Sequence, residues 1–160
     1  MSREELSAIT RRLSARDRVL TAILADTGFR LDDVMHTRVW QWLGDEITVR
    51  ERKTGKKRSV SIPEQLRKQL RGHFRGRKSL RYAFPALRAG GRGKMHRTTY
   101  WRHFVAAAKA AGLEGRTPHG LRKLYAVELF RRCGDLSAVQ ADLNHSKPEV
   151  TLIYAFADKY

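Results

Sequence analysis

The sequence predicts an α+β fold that is mainly α-helical, with a small three-stranded antiparallel sheet near residues 39–62. Three observations predict it: apolar residues recur at helical spacing over most of the chain, capping residues precede these runs, and one stretch switches to short β-prone runs. A chain of 160 residues with 41% hydrophobic residues is large enough to bury a core. We therefore expect one compact domain over residues 1–160.

Capping patterns predict the first helices. Ser2 and Ser14 each stand three residues before an acid, the arrangement that opens many helices. Gly28 ends the second of these helices, and a short helix is predicted from Leu31 to His36.

The β-prone stretch follows directly. Its runs are separated by Gly44-Asp45 and by Thr54-Gly55, which are turn signals, so we predict an antiparallel sheet with a basic hairpin tip. The β-prone residues are Val39, Trp40, Trp42, Ile47, Val49, Val60 and Ile62.

Helical patterns return after the predicted sheet. Pro63 begins one that ends near Phe74, residues 76–97 are irregular and rich in Gly, Arg and Lys, and Thr99 to Ala111 is helical. A central helix follows with Thr117 as its cap, Pro118 at its first position and an apolar run from Leu121 to Phe130. Short helices near 136–143 and 148–154 complete the prediction.

Charge predicts the partner. The chain has 33 Lys and Arg against 16 Asp and Glu, a formal charge of +17 that favours a polyanion such as nucleic acid. No acid lies between Glu64 and Glu114, so this stretch is expected to face phosphates. Its cations are Arg67, Lys68, Arg71, Arg75, Arg77, Lys78, Arg81, Arg88, Arg92, Lys94, Arg97, Arg102 and Lys109.

An anionic membrane is the competing partner, but no apolar run approaches spanning length and no signal pattern precedes the first helix. The only cysteine, Cys133, lies in an apolar helical stretch and is expected to pack in the core. A lone cysteine forms no internal disulfide, which fits a reducing cytoplasm.

Several residues are candidates for a chemical role, but each also has an ordinary structural explanation. His119 and Arg122 share one face of the first turn of the central helix, where free backbone N–H groups favour an anion. Arg30 has Asp33 as a possible ion-pair partner, and Lys53 stands at the hairpin tip. Judged alone, Arg30 reads as an ion-pair member, Lys53 as a surface cation, His145 as a helix cap and Tyr154 as core.

Taken in order, these residues resemble the active-site series of the tyrosine recombinases, the phage integrase family. The series is Arg30, Lys53, His119 with Arg122, His145 and Tyr154. The segment Thr27-Gly-Phe-Arg-Leu-Asp-Asp33 resembles the family's Thr-Gly-Leu-Arg-x-x-Glu, and Leu143-Asn-His-Ser146 with Thr151-x-x-Tyr154 resembles Leu-Gly-His-Ser and Thr-x-x-Tyr. Asn144 departs from the usual Gly, and Lys123-Leu124-Tyr125 departs from the usual His-Ser/Thr-Phe.

The resemblance implies a catalytic domain that cleaves and rejoins DNA strands through a 3′-phosphotyrosine. Arg30 and Arg122 suit the charge on the phosphate, because guanidinium groups stay charged and offer forked donors. His119 is placed to accept the proton of Tyr154, and His145 to donate a hydrogen bond to the phosphate. Lys53 gives the leaving 5′ oxygen its proton by family resemblance.

Four other tyrosines compete with Tyr154. Tyr100 and Tyr125 sit on apolar helical stripes and are better explained as core, and Tyr82 lies outside any motif. Tyr160 is the rival, because a chain end can swing into a site.

The predicted partner is double-stranded DNA, and no metal or cofactor is required. The chain starts at what resembles the first helix of the catalytic domain, so we expect the family's N-terminal DNA-clamping domain to be absent from it, either because the chain is a fragment of a longer recombinase or because the protein is unusually minimal. Few residues follow Tyr154, which predicts a monomer that self-assembles only on its recombination site. The expected DNA contacts are Arg52, Lys56, Lys57, Arg75, Arg77, Lys78, Arg92, Lys94 and Arg97.

Two alternatives remain open at this point. A noncatalytic DNA-binding module needs only the positive charge and predicts salt-sensitive binding without a covalent adduct. A topoisomerase of the related tyrosine type predicts supercoil relaxation without site-specific exchange.

Overall fold

A computed structural model of the chain describes residues 1–86 and 93–144. Within these ranges the fold is mainly helical, with one small antiparallel sheet, as the sequence predicts. The helices and strands are α1 (Arg3–Thr10), α2 (Ala15–Thr27), α3 (Leu31–Met35), β1 (Glu46–Arg50), β2 (Lys57–Ser61), α4 (Glu64–Phe74), α5 (Arg97–Ala110), α6 (His119–Cys133) and α7 (Leu136–Asp142).

Helix α2 lies at the centre of the core. Its apolar side chains Leu20, Ile23 and Leu24 are buried against α4, α5 and α6. The hydroxyl of Thr21 on the same helix hydrogen bonds to the hydroxyl of Tyr100 on α5 at 2.8 Å. Burial of this apolar stripe explains why α2 positions the elements around it.

The predicted helix starts and stops are present at α1 and α2. Ser2 forms a full capping box, and the Ser14 hydroxyl accepts the backbone N–H of Asp17. Gly28 ends α2 in the left-handed conformation, with φ 63°. These local signals confirm the sequence prediction for the first two helices.

The sheet has two strands in the described part of the chain, so the prediction of three was wrong. Strands β1 and β2 pair antiparallel, with Ile47 opposite Val60. Residues Val39–Trp42 form a 3₁₀ turn instead of a strand. Trp42 is buried there, and its Nε1 donates to the hydroxyl of Thr37 at 2.8 Å. Aromatic and β-branched residues favour burial as much as strand pairing. A buried turn can therefore have the same composition as a strand.

Helix α6 starts one residue later than predicted. Its N-cap is Pro118, which has no side-chain capping bond, so Thr117 does not act as the predicted cap. Cys133 is exposed, which overturns its predicted core position. It is the last residue of α6, before Gly134 ends the helix with φ 68°, and the apolar face no longer reaches it. The predicted helix at 148–154 lies outside the described residues.

Candidate active site

Arg122 is the buried centre of the site. One guanidinium nitrogen, Nη1, donates to the carbonyl of Gly28 at 2.5 Å, and Nη2 donates to the carbonyl of Leu143 at 2.7 Å. The side chain is almost fully buried, which a charged group tolerates only when it is well hydrogen bonded. Arg122 therefore joins the end of α2 to the end of α7.

Gly28 is required at this junction for two reasons. Its backbone is left-handed, and a Cβ placed on it would lie 2.3 Å from Cδ1 of Tyr125 on α6. Glycine alone meets both conditions without strain. The close approach brings the loop that begins α3, and with it Arg30, against α6.

Arg30 pairs with an acid that the sequence analysis did not single out. Its Nη1 lies 2.6 Å from Oε2 of Glu51, whose side chain is completely buried. Glu51 follows β1 and continues the alternation that buries Ile47 and Val49. An acid at an inward-facing strand position is the sequence signal that would have revealed it.

The hairpin tip carries Lys53 and is closed by Glu51. The backbone N–H of Glu51 donates to the carbonyl of Lys56 at 2.8 Å, and its carbonyl accepts the N–H of Gly55 at 2.8 Å. The Thr54 hydroxyl donates to Glu51 Oε2 at 2.9 Å. Lys53 itself is exposed between these contacts, on the turn that Glu51 connects to Arg30.

Asp33 does not form the ion pair with Arg30 that its spacing suggests. Its Oδ1 accepts the backbone N–H of Arg52 at 2.9 Å, beside Lys53. Burial raises the pKa of Asp33, the Arg52 N–H opposes this, and the nearby charge of Glu51 adds to the rise. The two acids thus hold the hairpin turn from both sides of Lys53.

His119 lies near both arginines. Although His119 is an exposed residue, its pKa is lowered, first by desolvation and then by the charges of Lys123, Arg122 and Arg30. A lowered pKa keeps the imidazole neutral near pH 7 and able to accept a proton. The structure therefore brings Arg30, His119 and Arg122 into one electrostatic neighbourhood.

A second buried arginine supports the site from β2. Nη2 of Arg58 lies 2.6 Å from Oδ2 of Asp142 on α7, and the same oxygen accepts the hydroxyl of Tyr125 at 3.0 Å. The Arg58 guanidinium also lies over the rings of Phe29 and Tyr125, with its central carbon 4.8 Å and 5.5 Å from their centroids. Like Glu51, Arg58 occupies an inward-facing strand position that the sequence analysis did not use.

Three tyrosines of the described ranges have structural roles. Tyr100 is fully buried, and its hydroxyl forms a hydrogen bond with the hydroxyl of Thr21. Burial raises the pKa of Tyr125 to about 12, and the carboxylate of Asp142 acts in the same direction. Tyr82 is covered by the guanidinium of Arg38, 3.6 Å from the ring centroid. Tyr154, Tyr160 and His145 lie outside the described residues.

The predicted DNA contacts differ in how far the fold engages them. Arg52 pairs with Asp32 at 3.2 Å, and Arg77 donates to the carbonyl of Ala83 at 3.3 Å, so both are partly engaged within the fold. Lys94 is half-buried, and Arg92 lies outside the described residues. The others are exposed: Lys56, Lys57, Arg75, Lys78 and Arg97.

A basic cavity of about 620 Å³ lies between α2 and α5. Of its cationic residues, Lys94 is a predicted DNA contact and Arg102 lies in the acid-free stretch, whereas no sequence signal had pointed to Arg16. His103 at its wall bonds to Asp17, with Nδ1 and Oδ2 2.8 Å apart. The lining residues are Arg16, Ala86, Lys94, Met95, His96, Thr99, Arg102 and His103.

Residues 1–86 and 93–144 lack two further kinds of feature. No helix there combines the length and apolar character needed to cross a bilayer. In the same ranges, His, Cys, Asp and Glu side chains nowhere gather in a group of three or more that fits a metal ion.

Comparison with known proteins shows the family to which the chain belongs. The chain matches the phage integrase family over residues 2–159, and it belongs to this family, the tyrosine recombinases. A probable integrase/recombinase of Bacillus subtilis (strain 168), YoeC, is 30% identical over 145 residues, 90% of this chain and 79% of the relative. The tyrosine recombinase XerA of Pyrococcus furiosus is 30% identical over 142 residues, 87% of this chain and 49% of the relative.

Solved structures share the fold. The crystal structure of XerA recombinase superposes with a TM-score of 0.79 at 26% identity, over 97% of this chain and 57% of that chain. A lambda integrase dimer bound to a COC′ core site superposes with a TM-score of 0.77 at 19% identity, over 97% of this chain and 58% of that one. The chain thus spans about half the length of several of the proteins it matches. The family predicted from the sequence is confirmed.

Proposed function

We propose that the chain is the catalytic domain of a site-specific recombinase that cleaves and rejoins double-stranded DNA through a 3′-phosphotyrosine. The observation that supports this most directly is the placement of Arg30, His119 and Arg122 around the end of α2. Two guanidinium groups and a neutral imidazole are the groups that a reacting phosphodiester needs.

In the proposed reaction the phenol oxygen of Tyr154 attacks the scissile phosphorus, and the bond from phosphorus to the 5′ oxygen breaks. His119 takes the phenol proton, while Lys53 protonates the leaving oxygen to give a 5′ hydroxyl. Arg30, Arg122 and His145 stabilise the negative charge that builds on the nonbridging oxygens. The phosphodiester energy is kept in the phosphotyrosine, so attack by another 5′ hydroxyl reverses the step without ATP.

The burial of Arg122 supports its role. Its hydrogen bonds to Gly28 and Leu143 fix the guanidinium relative to the segment that leads to Arg30, and relative to the residues just before His145. A group held by packing and hydrogen bonds costs no reorganisation when charge develops.

DNA binding in this proposal uses the exposed cations of the hairpin tip and of the acid-free stretch. Lys56 and Lys57 flank the Lys53 turn, and Arg75 and Lys78 follow α4. Such contacts to phosphate position the duplex but do not select its sequence. We further propose that the protein is a monomer without DNA, assembles on its recombination site and acts at the nucleoid in the cytoplasm.

The nucleophile is tested by substitution. Tyr154→Phe should abolish covalent adducts with a nicked duplex, because the variant lacks the attacking oxygen, and adducts are measured by denaturing gel electrophoresis. Tyr160→Phe is the matched control and should form adducts as the wild type does. Undiminished adducts with Tyr154→Phe contradict the assignment, and salt-sensitive binding without adducts from the wild type favours a noncatalytic module.

A further inference from the structure

One carboxylate oxygen contacts both an arginine of the phosphate site and the turn that carries Lys53. Oε2 of Glu51 lies 2.6 Å from Nη1 of Arg30 and accepts the Thr54 hydroxyl at 2.9 Å. The Glu51 side chain has no exposed surface, whereas Arg30 is one-quarter exposed. The acid is therefore internal, and the arginine reaches from it toward solvent.

The backbone of the same residue defines the turn. Glu51 donates its N–H to Lys56 and accepts the N–H of Gly55, both at 2.8 Å, so it closes the loop on either side of Lys53. Asp33 adds a contact from α3 to the N–H of Arg52 at 2.9 Å. Lys53 is exposed, so contacts of its neighbours, above all those of Glu51, set where its ammonium can reach.

A buried carboxylate needs a compensating charge. Transfer of an isolated carboxylate out of water is costly, and a cation with hydrogen-bond donors is what offsets that cost. Arg30 supplies the cation and Thr54 supplies a donor to the same oxygen. Movement of either partner thus disturbs the other, which couples the guanidinium to the turn.

We infer that Glu51 is a positioning residue for the reaction proposed above, on which this inference rests: it aims Arg30 at the phosphate and, through Thr54, holds Lys53 at the leaving oxygen. Glu51 touches neither DNA nor a reacting atom. Its loss therefore weakens two separate functions, charge stabilisation and protonation of the leaving group.

A substrate with sulfur in place of the 5′ bridging oxygen separates these two functions. A thiol is far more acidic than an alcohol, so sulfur leaves as a thiolate without a proton donor. The probe is a nicked duplex whose sequence is first recovered by covalent capture on the protein from a random-sequence pool. Single-turnover adduct formation is measured on the oxygen and the sulfur versions.

Lys53→Ala should form adducts slowly with the oxygen substrate and at nearly the wild-type rate with the sulfur substrate. Thr54→Val loses one hydrogen bond to the turn, so it should be slowed about tenfold or less on oxygen and be restored on sulfur. Glu51→Gln keeps the size of the side chain but not its charge. It should be slowed about 100-fold on oxygen and restored only in part on sulfur, because the defect at Arg30 remains.

Glu46→Gln, which changes an exposed glutamate on β1, the strand that ends just before Glu51, is the matched control and should behave as the wild type. The inference is overturned if Glu51→Gln cleaves the oxygen substrate at the wild-type rate. It is also overturned if Glu51→Gln is slowed equally on the oxygen and sulfur substrates, because the defect would then not involve protonation by Lys53. Thr54→Val tests the turn independently if Glu51→Gln does not fold, and lack of restoration by sulfur counts against the coupling. A wild type that cleaves neither substrate refutes the proposed function instead.

Discussion

At the scale of single residues, the candidate site depends on side chains whose contact partners are distant in the sequence. Arg30 stands three residues before Asp33, yet its ion pair is with Glu51. Asn144 stands where the family's Leu-Gly-His-Ser motif has glycine, and it adopts φ 51°. Asparagine is among the few residues that accept this left-handed conformation, so it can take the place of the glycine.

The lowered pKa of His119 gives a pH prediction. An imidazole must be neutral to accept the tyrosine proton, so the cleavage rate should rise with pH through the His119 pKa and level off above it. Because desolvation and neighbouring cations hold this pKa below its ordinary value near 6.5, the midpoint of the rise should lie at lower pH than for an unperturbed imidazole. The measurement is the single-turnover adduct rate from pH 4.5 to 8.

Lys123→Ala is a sharper form of the same test. Removing a neighbouring positive charge raises the His119 pKa, so the midpoint of the rate profile should move to higher pH. Arg131→Ala, a surface cation at the other end of α6, should leave the midpoint unchanged. A midpoint that Lys123→Ala does not move would remove His119 from the role of proton acceptor.

At the scale of elements, the hairpin and α7 are joined by the Arg58, Asp142 and Tyr125 contacts. The Arg58 side chain is 3% exposed, whereas that of Asp142 is 31% exposed. This difference decides what each substitution costs, because the partner left behind is buried in one case and can be hydrated in the other.

Asp142→Ala should therefore be more destabilising than Arg58→Met. The first leaves a buried guanidinium unpaired and is expected to lower the free energy of unfolding by about 3 kcal/mol. The second replaces the charge with an apolar chain of similar length and is expected to cost about 1 kcal/mol. Urea unfolding followed by circular dichroism measures both, with Tyr125→Phe as the control for loss of the hydroxyl alone. An equal or larger loss from Arg58→Met contradicts the account.

The elements also show what sequence can and cannot predict. Caps at Ser2 and Ser14 and the glycine at 28 act within a few residues, so their helices were predictable. The turn at Val39–Trp42 was mistaken for a strand because its backbone bonds reach distant residues. The N–H groups of Val39 and Trp40 donate to the carbonyls of Arg81 and Ser79, and local propensity contains no sign of this.

At the scale of the whole molecule, the charge of +17 and the family assignment support each other. The order of the proposed catalytic series can be read from the sequence because the motifs around it are local. Its supporting residues were not, since Glu51 and Arg58 act through contacts with Arg30 and Asp142 across the fold. Their inward-facing positions follow from the alternation of apolar residues along the hairpin, but the partner of each depends on the tertiary structure.

Binding to duplex DNA should depend steeply on salt. If the basic surface neutralises about six phosphates, affinity should fall about 1000-fold between 50 mM and 200 mM salt. Arg75→Ala and Lys78→Ala should each reduce the slope of the logarithm of affinity against the logarithm of salt concentration by about one. Lys109→Ala is the control, because Glu114 already offsets its charge at 3.6 Å. Unchanged slopes for both test variants would place the DNA elsewhere on the surface.

The most direct test of the central claim is to map the residue that becomes covalently bound to DNA. The wild-type protein is trapped on a nicked duplex, the adduct is digested with a protease and a nuclease, and the modified peptide is sequenced by mass spectrometry. The account predicts a nucleotide 3′-phosphate on Tyr154. Modification of Tyr160 or of any other residue, or no covalent product at all, would contradict it.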